Sequence, residues 1–164
     1  MKTAVVYYSL NGNCAFIAQE IKAKLDADLL RLHTEDETTR KGRPRGGFAK
    51  FFWAIGVMKG MKKAPLKPYT FAPAVYDLII IGAPVWAGAP ARPIQSFLTE
   101  TGITGKKIAL FVCHGGGAGK SLEKFKALLP GNDIIAERDF IAPIKNSEKA
   151  GQQVADWVKS LQTS

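Results

Sequence analysis

Cysteine is scarce in this chain, with two among 164 residues. Two thiols make no disulfide framework, which argues against a stapled secreted domain and favours a reducing cytoplasm. Long hydrophobic runs are missing as well. The longest, from Leu78 to Ala91, is broken by glycines and prolines and is too short for a membrane span. The chain opens directly on a strand-like run, so no signal peptide is expected. No internal repeat is visible. Acidic residues are absent from one long segment: between Arg40 and Lys67 there is no carboxylate, while nine lysines and arginines occur there. The net charge of +9 resides in that segment, because the remaining 14 basic residues equal the 14 acidic ones.

What is present is ordinary for a globular protein: 46% hydrophobic and 23% charged residues. A chain of this length suggests one domain over 1–164, with enough buried surface for a real core. Strand-like and helix-like patterns alternate. Strands are predicted at Lys2–Ser9, Asp28–His33, Tyr76–Gly82, Lys106–His114 and Asp133–Ile141. The third and fourth are nearly continuous apolar runs, the mark of strands covered on both faces. Helices are predicted at Asn13–Ala27, Arg92–Thr101, Lys120–Leu129 and Ser147–Leu161. Ser147 is a candidate N-cap for the last. The order implies an open α/β sheet with right-handed crossovers.

Residues Thr39 to Pro73 break this rhythm. Gly42, Pro44, Gly46 and Gly47 predict a loop, and Phe48, Phe51, Phe52 and Ile55 among lysines predict one amphipathic helix. Pro65 and Pro68 then predict an extended return to the third strand. The basic stretch 40–67 is either a solvated surface or a contact for an acidic partner, an anionic membrane surface or nucleic acid, the last being least favoured.

In open α/β sheets ligands bind beyond the carboxyl ends of the strands, where the strand order reverses. Three unusual loops leave strands at that edge. The first, Ser9-Leu10-Asn11-Gly12-Asn13-Cys14, joins a strand to a helix through short polar residues. Free N–H groups and the positive end of the helix dipole suit a phosphate there; the alternative is a plain capped turn. The second, Gly82 to Pro90, carries no charge and includes Pro84, Val85, Trp86, Ala87 and Gly88. Trp86 either stacks on a flat heterocycle or folds back on the sheet end, and Gly88 is able to take a positive φ. The third, His114-Gly115-Gly116-Gly117-Ala118-Gly119-Lys120-Ser121, lets backbone approach a ligand closely. It lacks the first glycine of a phosphate-binding P-loop and the last glycine of a dinucleotide fingerprint. Cys14 reads as a small packing residue or weak donor, and Cys113 as core. Counted across the sheet, the two lie about two strand spacings apart, too far for a disulfide. No metal site is expected.

Together the loops suit one ligand with a phosphate at one end and a flat ring at the other. On these residues the chain resembles the flavodoxin-like family. Ser9–Cys14 is similar to that family's phosphate loop, with Asn11 and Cys14 where threonines are usual. Pro84-Val85-Trp86 resembles the loop whose aromatic flanks the flavin, and the glycines after Cys113 resemble the third flavin loop. The resemblance implies a three-layer α/β/α sandwich with a five-stranded parallel sheet, order 2-1-3-4-5. It implies FMN held by Ser9–Cys14, stacked on Trp86, edged by His114 to Gly119, and faced at N5 by a carbonyl near Ala87 or Gly88. Electron transfer with a redox protein partner is the implied function. An FMN-dependent NAD(P)H:quinone-type oxidoreductase is the alternative. The basic charge departs from the acidic character of the family's soluble carriers.

Overall fold

A computed structural model describes residues 1–35 and 64–162. Five parallel strands form its sheet: β1 (Thr3–Tyr8), β2 (Asp28–Leu32), β3 (Leu78–Trp86), β5 (Lys107–His114) and β6 (Asp133–Ile141). A two-residue strand, β4 (Ala89–Pro90), pairs antiparallel with the end of β3. The order β2-β1-β3-β5-β6 is the expected one, with β4 added at the side. The helices are α1 (Asn13–Leu25), α2 (Arg92–Thr101), α3 (Ser121–Ala127) and α4 (Ser147–Gln162).

The alternation of side chains along each strand builds two cores. Val5, Tyr7, Leu78, Ile80, Ala109, Phe111 and Cys113 face α1 and α4, meeting Ile17, Ile21, Val154, Trp157 and Leu161. Val6, Tyr8, Ile79, Ile81, Ile108, Leu110 and Val112 face α2 and α3, meeting Ile94, Phe97, Phe125 and Leu129. Ile79, Ile80 and Ile81 are wholly buried, and each side chain so removed from water contributes about 1.5–3 kcal/mol. This is why β3 and β5 read as unbroken apolar runs rather than as alternating ones.

Several boundaries differ from the sequence reading. The strand expected to stop at Gly82 continues to Trp86, because β4 offers it a second partner at Val85 and Trp86. α1 ends at Leu25, two residues early, where Asp26 turns left-handed at φ 48°. α3 is also short, since Leu128 leaves the helix before Pro130. At the start of α4 the capping position falls on Asn146, whose carbonyl accepts the Ala150 N–H, and Ser147 is already helical. The loop and amphipathic helix expected in the basic segment lie outside the described residues. The extended return lies mostly inside them: Leu66 bridges Thr34, and Tyr69, Phe71, Tyr76 and Phe97 form an aromatic group over α2.

Gly82 belongs to the fold rather than to a ligand loop. It sits directly opposite Phe111 in the β3–β5 register. A Cβ at Gly82 would fall inside the Phe111 ring. That ring packs edge-on against Phe140 and Trp157. Overpacking of this kind costs about 1–3 kcal/mol, and more when backbone must shift. Gly82→Ala is therefore expected to lower the unfolding free energy by at least about 2 kcal/mol, measured by urea denaturation; an unchanged midpoint would show that the ring yields freely.

Candidate functional site

The carboxyl ends of β1, β3 and β5 lie side by side. The chain leaves β1 outward for β2 and returns on the other side as β3, so a crevice opens where the order reverses. A cavity of about 270 Å³ occupies this edge. Residues from all three singled-out loops line it.

From the first loop come Ser9, Leu10, Asn11, Asn13 and Cys14. Gly12 shapes the turn from behind: its φ is +86°, and a Cβ there would sit 3.0 Å from Ile144 Cδ1. The polar groups of the loop divide into used and free. Ser9 Oγ accepts the Ala15 N–H at 3.1 Å, and Asn13 Oδ1 accepts the Ile144 N–H at 3.2 Å. The Gly12 carbonyl accepts the Phe16 N–H. Among the described residues, the N–H groups of Asn11, Gly12, Asn13 and Cys14 find no protein acceptor. Such a cluster of N–H groups at a left-handed turn, at the start of a helix without acidic residues in its first turn, is a receptor for an anion. Arg31, on β2, donates through Nη2 to the Ser9 carbonyl at 3.1 Å and sets a cation behind the loop.

The second loop supplies Pro84, Val85 and Trp86. It is a hairpin. Val85 pairs with Pro90 and Trp86 with Ala89, which leaves Ala87 and Gly88 as a two-residue turn. Their φ values are 50° and 68°. Both central residues of a type I′ turn need positive φ, so the hairpin imposes a left-handed backbone on an alanine. Ala87 and Gly88 do not line the cavity themselves; they hold Trp86 in it. The indole is half-buried and meets Tyr8 edge-on, with ring centroids 5.7 Å apart and planes at 86°. It neither lies flat on the sheet end nor stands free in solvent.

The third loop contributes His114 and Gly115, preceded by Cys113 at the end of β5. The His114 ring is buried, with Nε2 at 2.9 Å from Asp139 Oδ2 and Nδ1 without a protein partner. Gly116, Gly117 and Gly119 lie beyond the lining. At Gly115, Gly116 and Gly117 an added Cβ would meet nothing within 4 Å, and only Gly119 has a positive φ. Protein packing therefore gives no reason for the three consecutive glycines.

One expectation is reversed. Cys14 and Cys113 are not two strand spacings apart; they share one core cluster and line the same cavity, near enough for the Cys113 thiol to act on that of Cys14. Cys14 rides on the first turn of α1, which leans across the sheet toward β5, so counting strands from β1 overstated the separation. Burial, together with the neighbouring thiol, pushes the Cys14 thiol well above its ordinary value. The sequence reading missed Arg31, Tyr8 and Ala142, which also borders the cavity. Tyr8 and Arg31 were legible in principle, since both lie at carboxyl ends of strands. Ala142, at φ 40°, carried no residue-type signal.

A larger groove of about 550 Å³ runs along β6 and α4, lined by Arg138, Asp139, Ile141, Lys149 and Gln153 among others. It has neither an aromatic wall nor a left-handed turn, and volume alone does not make it the better site.

A doubly wound sheet with a crevice at its switch point defines a class, the open α/β folds that take ligands beyond the carboxyl ends of their strands. The family model described as flavodoxin matches residues 2–161, and the chain belongs to the flavodoxin family. Among solved structures it is similar to a Lactobacillus acidophilus flavoprotein in complex with FMN, at 23% identity and a TM-score of 0.69, covering 88% of this chain and 97% of that one. The apo form of the flavoprotein from the same organism gives 25% identity and a TM-score of 0.65, over 88% and 95% of the two chains. Oxidised flavodoxin 2 from Bacillus cereus gives 18% identity and 0.63, with 99% of each chain covered. No curated protein matches the sequence.

The left-handed alanine at position 87 gives a stability test. An L-residue in that conformation costs roughly 1–2 kcal/mol, against about 0.5–1 kcal/mol of extra chain entropy for glycine. Ala87→Gly is expected to stabilise the protein by up to about 1 kcal/mol, read as a raised thermal midpoint; a fall would mean the alanine methyl packs usefully.

Proposed function

We propose that this protein binds FMN non-covalently in the cavity at the ends of β1, β3 and β5 and carries electrons through it. The observation that carries the reading is that the Asn11–Cys14 turn, whose N–H groups find no acceptor among the described residues, and the half-buried indole of Trp86 border one cavity. The residues fit the group. The Gly12 turn would take the phosphate, and Arg31 behind Ser9 adds favourable charge without occupying a donor. Pro84, Val85 and Trp86 give an apolar wall for a flat ring, with Tyr8 fixing the indole from behind. Gly115 to Gly117 leave room for a ligand edge to approach backbone. Ala87 and Gly88 would act by holding Trp86 at the ring, since they do not line the cavity themselves.

Bound FMN supplies one- and two-electron chemistry at its ring. The chain's share is to hold the phosphate with backbone donors, shield one ring face with Trp86 and exclude water with Leu10 and Val85. Donor and acceptor would be protein partners, and the basic segment from Arg40 to Lys67 would complement an acidic one. Two free thiols suit a cytoplasmic setting; among the described residues no helix is long and apolar enough to cross a membrane. A yellow purified protein that releases FMN on denaturation tests the cofactor. Anaerobic stopped-flow mixing with NADH or NADPH tests the electron path. Rapid flavin reduction coupled to quinone turnover would replace the carrier reading with the oxidoreductase one.

Two substitutions test the placement. Gly12→Val puts a branched side chain at φ +86° and against Ile144, so FMN affinity is expected to fall at least tenfold, about 1.4 kcal/mol. An unchanged dissociation constant would move the phosphate elsewhere. Trp86→Ala is expected to weaken FMN by roughly 1–3 kcal/mol, the scale of aromatic–base stacking, and to abolish most of the tryptophan quenching that binding produces. Equal quenching in the variant would point to Trp157 or Trp53 instead.

A further inference from the structure

Two thiols that line the cavity are left unused by the flavin reading. Cys14 and Cys113 are the only cysteines of the chain. They come from different elements, the first turn of α1 and the end of β5. The alternation along β5 turns Cys113 to the α1 side with Ala109 and Phe111. Both side chains are almost fully buried, at 1% and 3% exposure. Yet both line the cavity, so the small exposed remainder faces the site rather than outer solvent. They belong to one core cluster and one cavity wall, the Cys113 thiol is near enough to help raise that of Cys14, and both are free.

We propose that Cys14 and Cys113 form a reversible disulfide, reached by small oxidants through the cavity when it is empty. Neighbouring thiols on one cavity wall need only a local shift to reach an S–S bond of about 2.05 Å. The oxidant is a peroxide. One thiol, as thiolate, attacks a peroxide oxygen; the O–O bond breaks, water leaves and a sulfenic acid forms. The second sulfur displaces that hydroxyl as water. Two S–H bonds and one O–O bond are lost, one S–S bond is gained, and the two electrons and two protons from the thiols go to the peroxide, yielding two waters. Burial raises the pKa of the Cys14 thiol, so its thiolate is scarce and the attack is slow.

The bond would alter the site. The Cys14 N–H is one of the four free donors, and drawing its side chain toward β5 pulls the first turn of α1 with it. The oxidised chain should therefore hold a phosphate less well. The shielding by ligand and this loss of affinity rest on the FMN reading; the disulfide itself does not.

The test uses the full chain stripped of flavin and treated with hydrogen peroxide, followed by intact mass and peptide mapping. The expected result is a mass lower by two hydrogens, both thiols lost in step, a Cys14–Cys113 cross-linked peptide, and full reversal by dithiothreitol. Cys14→Ser, or Cys113→Ser should the first not fold, is expected to gain oxygen at the remaining thiol instead. Stepwise oxygen adducts without loss of hydrogen in the wild-type chain, or cross-links only between chains, would overturn the proposal. A second arm repeats the reaction with FMN at a concentration shown to saturate by flavin fluorescence. Oxidation at least tenfold slower, and FMN affinity at least tenfold weaker after oxidation, are expected. Equal rates at proven saturation would overturn the shielding. An absence of FMN binding would overturn the cofactor reading while the mass result in the empty chain still judged the disulfide.

Discussion

Phe111 rests on Gly82, and that contact fixes the sheet edge on which the site is built. The ring takes the place of a side chain on the neighbouring strand and is held by Phe140 and Trp157. A slip of β3 against β5 by one residue would drive Ala83 into the ring and turn the isoleucines of β3 to the wrong core. With the register locked, Pro84 stands opposite Cys113, and Tyr7 opposite Gly82. The carboxyl ends of three strands thus finish level with one another. Only then do an anion-receptive turn, an indole and a glycine loop share one cavity.

The first loop shows how backbone polarity is divided at such an edge. Side-chain acceptors from Ser9 and Asn13 are spent on main-chain N–H groups at Ala15 and Ile144, which stiffens the turn and ties it to the segment after β6. Main-chain donors are left for a ligand. The arrangement explains why amide and hydroxyl side chains in this loop are poor guides to the contacts they make. They hold the turn, and the turn leaves its own N–H groups free. The free donors of the loop belong to the backbone, which no substitution except proline removes, so Asn11 and Cys14 leave them in place.

Much of the fold was legible because the signals were long. The runs of β3 and β5, and the stripe Ala150, Val154, Trp157, Val158 and Leu161 on α4, are set by burial alone. The loops were legible as a set, through the residue types gathered after three strands. What the sequence hid were details that depend on a third body. The hairpin was hidden because Ala87 has no preference for positive φ; pairing with β4 imposes it. Gly82 looked like loop material because its reason, the Phe111 ring, is 29 positions away. The nearness of Cys14 to Cys113 was hidden because the tilt of α1 over the sheet has no one-residue signature. The parity of β5 does show that Cys113 faces the helix carrying Cys14.

Strain marks the same edge. Among the described residues three non-glycine positions have positive φ: Asp26, Ala87 and Ala142. Asp26 closes a helix, where an acidic side chain tolerates the left-handed region. The two alanines have no such excuse, and both flank the cavity, one at the tip of the hairpin that carries Trp86 and one in its wall. Each is over-determined by its surroundings. Ala87 is clamped by pairing on both sides of the turn, and Ala142 by its N–H to the His114 carbonyl and its carbonyl to the Lys145 N–H. A backbone held off its preferred conformation by rigid neighbours is a way to keep a site open in one shape. The buried core stabilises the fold enough to offset that cost, and the strain is confined to the edge where the carboxyl ends of the strands meet.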